Sequence, residues 1–296
     1  MKKLFLLLLI FNFQLSTFNY CKAQYTILHN FDGINGANPS GSLTFSRNIC
    51  YGMTQFGGTH KIGSIFSIDT NGNSFKKLHD FDSINGSQPY GSLMLFGKLL
   101  YGMTKYGGNV NMGCIFSIDT NGNNYKVLLN FNRTNGAYPQ GSLRFLNGKL
   151  YGMASEGGFS DAGCIFSIDT NGNGYTDIFD FDFADGGDPT GSLLLSGNIF
   201  YGMTQEESNY GTIFSIDTNG NGFKVIFYFN DATGIGPWGS LILSSNQLFG
   251  MTAKGGLLGQ GCVFSIDTNG NNYKDLLDFN NMNGASPYGS LILLGQ

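Results

Sequence analysis

The feature that most constrains this chain is a repeat that runs through almost its whole length. The tripeptide Gly-Ser-Leu recurs six times, at steps of 50, 50, 50, 48 and 50 residues. The tripeptide Tyr-Gly-Met occurs four times and becomes Phe-Gly-Met in the fifth unit, and Phe-Ser-Ile-Asp-Thr-Asn-Gly-Asn occurs five times. A period near 50 with several short apolar runs is typical of propeller blades or of a solenoid.

Each unit contains four short runs of β-branched, aromatic and aliphatic residues, separated by turn residues. In the second unit these runs are residues 92–96, 99–103, 114–119 and 125–131. Gly97-Lys98 and Asn121-Gly122 join the first and third pairs, and such dipeptides form tight antiparallel hairpins. No segment has the 3.6-residue apolar spacing of a helix. We therefore predict an all-β fold, a β-propeller of four-stranded antiparallel blades, because radial repetition protects sheet edges.

The two ends of the chain predict how the ring closes. Residues 25–31 match a lone fourth strand, and residues 290–294 match a lone first strand. Five complete blades are therefore expected beside an incomplete sixth built from the N- and C-terminal strands, truncated by about 25 residues or imperfectly closed. We predict one repeat domain over residues 24–296. Its units are about 41–90, 91–140, 141–190, 191–238 and 239–288, with a partial unit at 289–296.

The N-terminus has the layout of a secretory signal peptide. Met1-Lys2-Lys3 precedes an apolar run over residues 4–13 and a polar stretch that ends at Gln24. We expect residues 1–23 to be removed near Ala23, which predicts a secreted, extracellular or cell-surface protein. Bulky residues before Cys21 argue against a lipid anchor there. No run reaches the ~18 apolar residues of a membrane helix, so no transmembrane segment is predicted.

Charge and cysteine usage exclude two further classes. Residues 24–296 hold 13 basic and 20 acidic side chains, a net charge of −7, which argues against nucleic-acid partners. Cys114, Cys164 and Cys262 share one repeat position, so they lie in different blades and are expected to be too far apart for a disulfide. We predict free, buried thiols there and at Cys50, and the absence of CxxC spacing argues against zinc.

The repeat resembles a known family. The pattern is G-x-x-P-x-G-S-L, then LYGMT, then Gly-Gly followed by GCIFSID, then a strand ending in Asn-Phe or Asp-Phe. It is similar to the GloVer tandem repeats of exported bacterial proteins, over residues 25–296. The resemblance implies a propeller-like surface or secreted protein, often attached to the envelope by a separate C-terminal sorting segment. It implies no established catalytic activity.

The Asp-Thr-Asn-Gly-Asn element offers a weak metal hypothesis. Asp69, Asn71 and Asn73 place oxygens at positions 1, 3 and 5, as calcium loops do, and the element has four further copies. This first copy lacks the Gly at position 6 and the Glu at position 12 of an EF-hand. A hairpin turn held by Asp and Asn side chains is therefore the favoured interpretation. Calcium remains the alternative, and no other cofactor is predicted.

Catalytic groups are scarce. His29 and His79 share a repeat position that elsewhere holds Leu or Phe, and no residue is placed to orient a histidine base. The glutamates of residues 24–296 are Glu156, Glu206 and Glu207. An exported polysaccharide hydrolase or lyase would be favoured if these carboxylates converged on the central channel. We predict no catalytic residues and no enzyme activity.

The most informative positions vary within the constant repeat. The residues directly before Gly-Ser-Leu are Ser40, Tyr90, Gln140, Thr190, Trp238 and Tyr288. In a propeller they line one face around the axis, where aromatic rings stack on sugars and polar tips bind hydroxyls. We predict a non-catalytic binding or display module for a glycan or envelope component, with Tyr90, Gln140, Trp238 and Tyr288 as ligand residues. Ordinary loop packing, and a purely structural spacer or adhesin role, are the alternatives.

Overall fold

The computed structural model describes residues 26–184, 186–205 and 210–293. Within them, the strands form five four-stranded sheets, and the order of strands in each sheet is their order along the chain. Every neighbouring pair is antiparallel. The predicted all-β fold of five complete four-stranded blades is confirmed.

The blades are numbered along the chain. Blade 1 comprises β1 (Thr44–Ser46), β2 (Ile49–Thr54), β3 (Ser64–Asp69) and β4 (Lys76–Asp80). Blade 2 comprises β5 (Met94–Phe96), β6 (Leu99–Thr104), β7 (Cys114–Asp119) and β8 (Lys126–Asn130). Blade 3 comprises β9 (Arg144–Leu146), β10 (Lys149–Ala154), β11 (Cys164–Asp169) and β12 (Thr176–Asp180). Blade 4 comprises β13 (Leu194–Ser196), β14 (Ile199–Thr204), β15 (Thr212–Asp217) and β16 (Lys224–Tyr228); blade 5, β17 (Ile242–Ser244), β18 (Gln247–Thr252), β19 (Cys262–Asp267) and β20 (Lys274–Asp278). First strands of successive blades contact one another, so they lie innermost.

The two predicted hairpins differ in length. Gly97 and Lys98 join β5 to β6 directly, and Gly97 has a φ of 63°, as expected for a two-residue loop. Six residues, 120–125, separate β7 from β8, and the tight turn predicted at Asn121-Gly122 and the antiparallel pairing of these strands are both present. Only Gly122 of the dipeptide has positive φ; its N–H donates to Asp119 O at 2.9 Å. Tyr125, the last residue of this loop, stacks on Phe116 of β7 with ring centroids 5.3 Å apart.

The core lies between blades rather than within one. At the junction of blades 4 and 5, Tyr201, Met203 and Ile213 of blade 4 pack against apolar side chains of blade 5. The glycine of Tyr-Gly-Met faces the other junction of the blade, because a Cβ on Gly202 would lie 2.3 Å from the ring of Phe214, which belongs to the cluster between blades 3 and 4. The repeat is therefore also the unit of core formation, each blade supplying one half of two successive apolar clusters.

The cysteines are buried, as predicted, and all four are free. Cys114 Sγ lies 3.3 Å from Thr104 Oγ1 on the neighbouring strand. In blade 1 the same pair of positions holds Ser64 and Thr54, whose hydroxyls are 3.0 Å apart. The site thus accepts a small side chain, Cys, Ser or Thr, which shares a hydrogen bond with the facing threonine in four blades. In blade 3 the residue that faces Cys164 is Ala154, so the small size is what all five sites have in common.

The predicted terminal strands are not formed. Residues 26–31 and 290–293 have no strand pairing, although residues 26–31 occupy the place of a fourth strand: His29 stacks on Phe75 at 3.8 Å, as His79 stacks on Tyr125. Pairing requires strands two and three of a sixth blade, and the described chain supplies neither. The predicted signal peptide, Tyr25 and Leu294 lie outside the described residues. Within the described ranges no helix is long and apolar enough to cross a membrane.

Candidate functional site

A ladder of serine hydroxyls surrounds the propeller axis. Each serine of Gly-Ser-Leu donates its backbone N–H to the Oγ of the serine one repeat later. The distance from the backbone N to the Oγ is 2.8 Å for Ser42 to Ser92, 2.7 Å for Ser92 to Ser142 and 2.8 Å for Ser142 to Ser192. It is 2.9 Å for Ser192 to Ser240 and 2.8 Å for Ser240 to Ser290. These bonds tie the blades together where their first strands begin.

The glycine beside each serine allows this close approach. A Cβ on Gly91 would lie 2.1 Å from Gly141 O, and a Cβ on Gly141 would lie 2.1 Å from Gly191 O. No side chain fits at such distances, so only glycine can occupy this position. The sequence pattern places Gly-Ser at the start of the first strand, and its presence in all six repeats is the signal that it forms the axial wall.

The predicted ligand residues come together in one axial cavity of about 630 Å³. Tyr90, Gln140, Trp238 and Tyr288 all line it. So do Ser40 and Thr190 and the Gly-Ser pairs of all six repeats, with Gln55. Every lining side chain is uncharged, so the cavity is a polar, neutral chamber with aromatic rings at its wall. The positions that vary before Gly-Ser-Leu thus determine the chemistry of the cavity.

The aromatic rings cluster on one side of the cavity. The ring centroids of Trp238 and Tyr288 are 5.7 Å apart at an interplanar angle of 63°. Both side chains also line an adjoining cavity of about 390 Å³, with Gln205 and Lys254 among its other residues. Tyr288 is 61% exposed, so its ring is open to solvent. Trp238 and Tyr288 therefore form a wall shared by two neighbouring cavities.

Lys105 places a positive charge beside the cavity without lining it. Its Nζ lies 5.0 Å from the ring centroid of Tyr90 and 5.4 Å from that of Tyr106. It also donates a hydrogen bond to Gln140 Oε1 at 3.4 Å. Burial lowers the pKa of Lys105 and raises the pKa of Tyr90. The lysine fixes Tyr90 and Gln140 through a cation–π contact and a hydrogen bond, which leaves their free edges toward the cavity.

Of the glutamates considered for catalysis, the structure describes Glu156, which lies away from the axial cavity. Glu156 does not line the cavity; its Oε2 lies 3.8 Å from Arg133, which also pairs with Asp161. Glu206 and Glu207 lie outside the described residues. His29 and His79 lie flat against aromatic rings between blades, and burial lowers the pKa of His79. This packing accounts for the interchange of His with Leu and Phe at that repeat position.

The Asp-Thr-Asn-Gly-Asn element forms the turn that the sequence favoured. Asp69 Oδ1 accepts the backbone N–H groups of Asn71 and Asn73, each at 2.9 Å. The bond from Asn73 is the largest of the influences that lower the pKa of Asp69. Asn71 and Asn73 thus supply backbone amides to the aspartate, and the oxygen proposed for calcium already serves the turn.

Cys164, Asp177 and Asp180 could together hold a metal ion, since one ligand atom from each lies within 4.8 Å of the others. Burial raises the pKa of Cys164 to about 12. Burial, and then the neighbouring Asp180, raises the pKa of Asp177 to about 6. A metal would have to displace the thiol proton before Cys164 could act as a ligand. At neutral pH the Cys164 thiol is therefore protonated, whereas the Asp177 carboxyl group is mostly ionised.

Solved structures with the same fold include distantly related propeller-like proteins. The chain resembles one in the crystal structure of a nidogen/laminin complex, with a TM-score of 0.58 and 15% identity, over 85% of this chain and 83% of that one. It also resembles TolB from Acinetobacter baumannii, with a TM-score of 0.51 and 15% identity, over 75% of this chain and 50% of that one. At such identities the likeness concerns the fold alone. No curated protein sequence matches the chain.

The sequence family is more informative than these structures. The profile of the Gloeobacter/Verrucomicrobia repeat matches residues 10–209 and 206–295. These two segments contain every copy of Gly-Ser-Leu, and therefore the whole axial cavity and its serine ladder. The chain belongs to the Gloeobacter/Verrucomicrobia repeat family, and each of its five complete repeats forms one four-stranded blade.

Proposed function

We propose that this protein is an exported, non-catalytic binding module whose axial cavity takes a neutral, hydroxyl-rich ligand, a glycan of the envelope or its surroundings. The supporting observation is the axial cavity of about 630 Å³, lined by serine hydroxyls, an amide and aromatic rings without a charged side chain. Sugar rings stack on tyrosine and tryptophan faces, and their hydroxyls exchange hydrogen bonds with such polar tips.

The roles of the lining residues follow from their chemistry. Trp238 and Tyr288 offer two faces at 63°, which suits a sugar ring that enters from the adjoining cavity. Gln140, held by Lys105 and by a bond from its Nε2 to Ser155 Oγ at 3.3 Å, provides hydrogen bonds to a ligand hydroxyl. The neutral wall favours uncharged sugars over uronic acids or phosphates, because among the described residues no charged side chain lines the axial cavity itself. Lys254 lines only the adjoining cavity, and the charge of Lys105 lies over the ring of Tyr90.

The proposal is tested with residues 24–296 on an array of neutral and acidic glycans, with release of sugar products followed in the same samples. We expect selective retention of neutral glycans without cleavage. Trp238→Ala should lose at least about ten-fold in affinity while the melting temperature stays nearly constant, because aromatic anchors dominate such sites. The matched control is Tyr228→Ala, an aromatic residue 57% exposed on the outer strand β16.

Three other outcomes would contradict the proposal and indicate a different site or function. Equal binding by Trp238→Ala would remove the axial cavity as the glycan site. Product release would replace the binding module by a hydrolase or lyase. Neither retention nor release on a broad array would contradict glycan binding and favour a structural spacer or adhesin module.

A further inference from the structure

Blade 3 brings a thiol and two carboxylates together at one point of its outer half. Cys164 lies on β11, and Asp177 and Asp180 lie on the neighbouring strand β12. Among the described residues, this is the group in which three His, Cys, Asp or Glu ligand atoms lie within 4.8 Å of one another. The pairing of β11 with β12 creates the group, so no sequence motif announces it. Its differences from blade 1 each supply or release a ligand atom.

The first difference is a second carboxylate in the place of a cation. In blade 1 Lys77 occupies the position of Asp177, and its Nζ lies 2.7 Å from Asp80 Oδ2 and 3.3 Å from Ile34 O. In blade 3 two carboxyl groups lie side by side instead, and no Lys or Arg among the described residues pairs with either of them. Blade 1 thus shows that this point of the fold accommodates a positive charge, and blade 3 offers it two carboxylates.

The second difference is that Asp180 lacks the hydroxyl that its counterpart binds. In blade 1 Thr59 donates its hydroxyl to Asp80 Oδ2 at 2.6 Å. Phe159 stands at the position of this threonine in blade 3, and its side chain is 93% exposed. Asp180 Oδ1 is buried without a hydrogen-bond partner. The same oxygen of Asp80 is also unpaired, but Lys77 neutralises that carboxylate. A cation at Asp180 offsets the cost of removing its charge from water.

The third difference concerns the thiol. In the other four blades a threonine hydroxyl shares a hydrogen bond with the residue at this position, as Thr104 does with Cys114 at 3.3 Å. Ala154 faces Cys164 and has no hydroxyl to offer. The Cys164 side chain is fully buried, and its polar neighbours are the hydroxyl of Tyr175 and the two aspartates of β12. The sulfur is therefore available as a ligand on the side of the carboxylates.

We propose that Cys164, Asp177 and Asp180 bind Zn²⁺ through one thiolate and two carboxylates, with water as the fourth ligand. Carboxylates bind calcium, magnesium and zinc alike, whereas a thiolate selects zinc among these three ions. Tetrahedral zinc holds such ligand atoms about 3.5 Å apart, so the three atoms need to approach one another by little more than about 1 Å. Asp177 is exposed, so the ion and its water reach the site from solvent.

Binding joins the third and fourth strands of blade 3 and is independent of the axial cavity. The proton of the Cys164 thiol passes to solvent as the Zn–S bond forms, because only the thiolate is a ligand. In the metal-free protein, burial and then the neighbouring Asp180 raise the pKa of Asp177, so the carboxylates stand unfavourably close when both are ionised. The ion replaces this repulsion by attraction to both groups. Since zinc then binds the folded state, it stabilises the fold by mass action.

The test titrates Zn²⁺ into residues 24–296 after a chelator has removed bound metal, with calorimetry as the measurement. We expect one ion per chain, bound at low-micromolar concentrations. A hundred-fold excess of Zn²⁺ over its Kd should raise the melting temperature by about 5 °C. Co²⁺ at the same site should show the strong near-ultraviolet absorption of a cobalt–thiolate bond. Ca²⁺ should not compete, because calcium takes oxygen ligands.

Variants that copy blade 1 locate the site. Asp177→Lys recreates the pair of Lys77 and Asp80 and should weaken zinc binding about hundred-fold or more, because the ammonium group takes the place of the ion. Cys164→Ser copies Ser64 and should abolish the cobalt–thiolate absorption. Circular dichroism establishes that the variants are folded. If Asp177→Lys does not fold, Asp177→Asn, which keeps the shape of the side chain, should weaken zinc binding about ten-fold or more.

Blade 5 provides the matched control, because Cys262, Asp275 and Asp278 repeat the same residue types. Their ligand atoms do not come within 4.8 Å of one another, and Thr252 Oγ1 shares a hydrogen bond with Cys262 Sγ at 3.4 Å. Asp275→Lys should therefore leave the affinity for zinc within about two-fold of that of the unaltered protein, as expected for a distant substitution.

Three results would overturn the proposal. The first is no binding of Zn²⁺ by the metal-free, folded protein. The second is a cobalt complex without thiolate absorption, which would mean that the ion is held by carboxylates alone. The third is zinc binding that survives Asp177→Lys or that Asp275→Lys weakens equally, which would place the ion elsewhere in the chain.

Discussion

The junction between blades 4 and 5 and the outer face of blade 5 are built from the same repeat positions in opposite surroundings. Met203 is 2% exposed at the junction, whereas Met251, its counterpart, is half-buried at the uncovered face. Phe229 is 3% exposed and its counterpart Phe279 is half-buried. Burial here is thus a property of the neighbouring blade, since identical residue types become core or surface according to what packs on them.

The largest difference is expected for the two methionines. Met203→Ala should lower the free energy of unfolding by about 3 kcal/mol, because it removes buried methylene groups and leaves a cavity. Met251→Ala should lower it by about 1 kcal/mol, because solvent already reaches that side chain. Urea denaturation followed by tryptophan fluorescence measures both. Equal losses would mean that the face of blade 5 is covered in solution.

A second pair of matched substitutions compares two glycines of the Gly-Ser-Leu repeats, one with a following blade and one without. A Cβ at residue 141 would meet Gly191 O at 2.1 Å, so Gly141→Ala should destabilise the protein by about 2 kcal/mol as the backbone shifts. Gly289→Ala should change stability by less than about 0.5 kcal/mol, because nothing lies near its Cβ position. Thermal unfolding compares the two variants. A large loss for Gly289→Ala would show that the ring closes there.

The smallest expected effect concerns two aspartate pairs. Burial and Asp180 raise the pKa of Asp177 to about 6 beside the covered junction of blade 3, and burial and Asp278 raise the pKa of Asp275 in blade 5. A carboxyl group whose pKa is raised on folding stabilises the fold at low pH and loses that contribution as pH rises through its folded pKa. For Asp177 this window runs from about pH 4 to pH 6.

Replacing the aspartate by asparagine removes the ionisable group and so measures its contribution to the free energy of unfolding. Asp177→Asn should stabilise the protein at pH 7 by about 1 kcal/mol, a value reduced for solvent screening because the group is half-exposed. It should also flatten the loss of stability between pH 4 and pH 7. Asp275→Asn should act in the same direction, because burial and Asp278 raise the pKa of Asp275 as burial and Asp180 raise that of Asp177. Urea unfolding at several pH values measures both, and a loss of stability at pH 7 in either variant would contradict this account.

Sequence reasoning succeeded where local patterns repeat. The four strands of each blade and the clustering of Tyr90, Gln140, Trp238 and Tyr288 followed from the period and from the position of these residues before Gly-Ser-Leu. It failed for the terminal strands, because residues 26–31 and 290–293 have no strand pairing in the structure, and pairing depends on neighbouring strands rather than on local pattern. It also missed the serine ladder, since Ser92 and Ser142 meet only after two blades are placed side by side.

By itself, the sequence determined the repeat unit, its strands and the residues that face the axis, because hydrophobic alternation and turn chemistry act over a few residues. Only the tertiary structure decided which of the repeated residues are core and which are surface. Met203 and Met251 belong to the same motif, as do Gly141 and Gly289, yet they differ because one of each pair has a following blade and the other does not. Burial and close approach are relations between elements distant in sequence, so a local pattern cannot contain them.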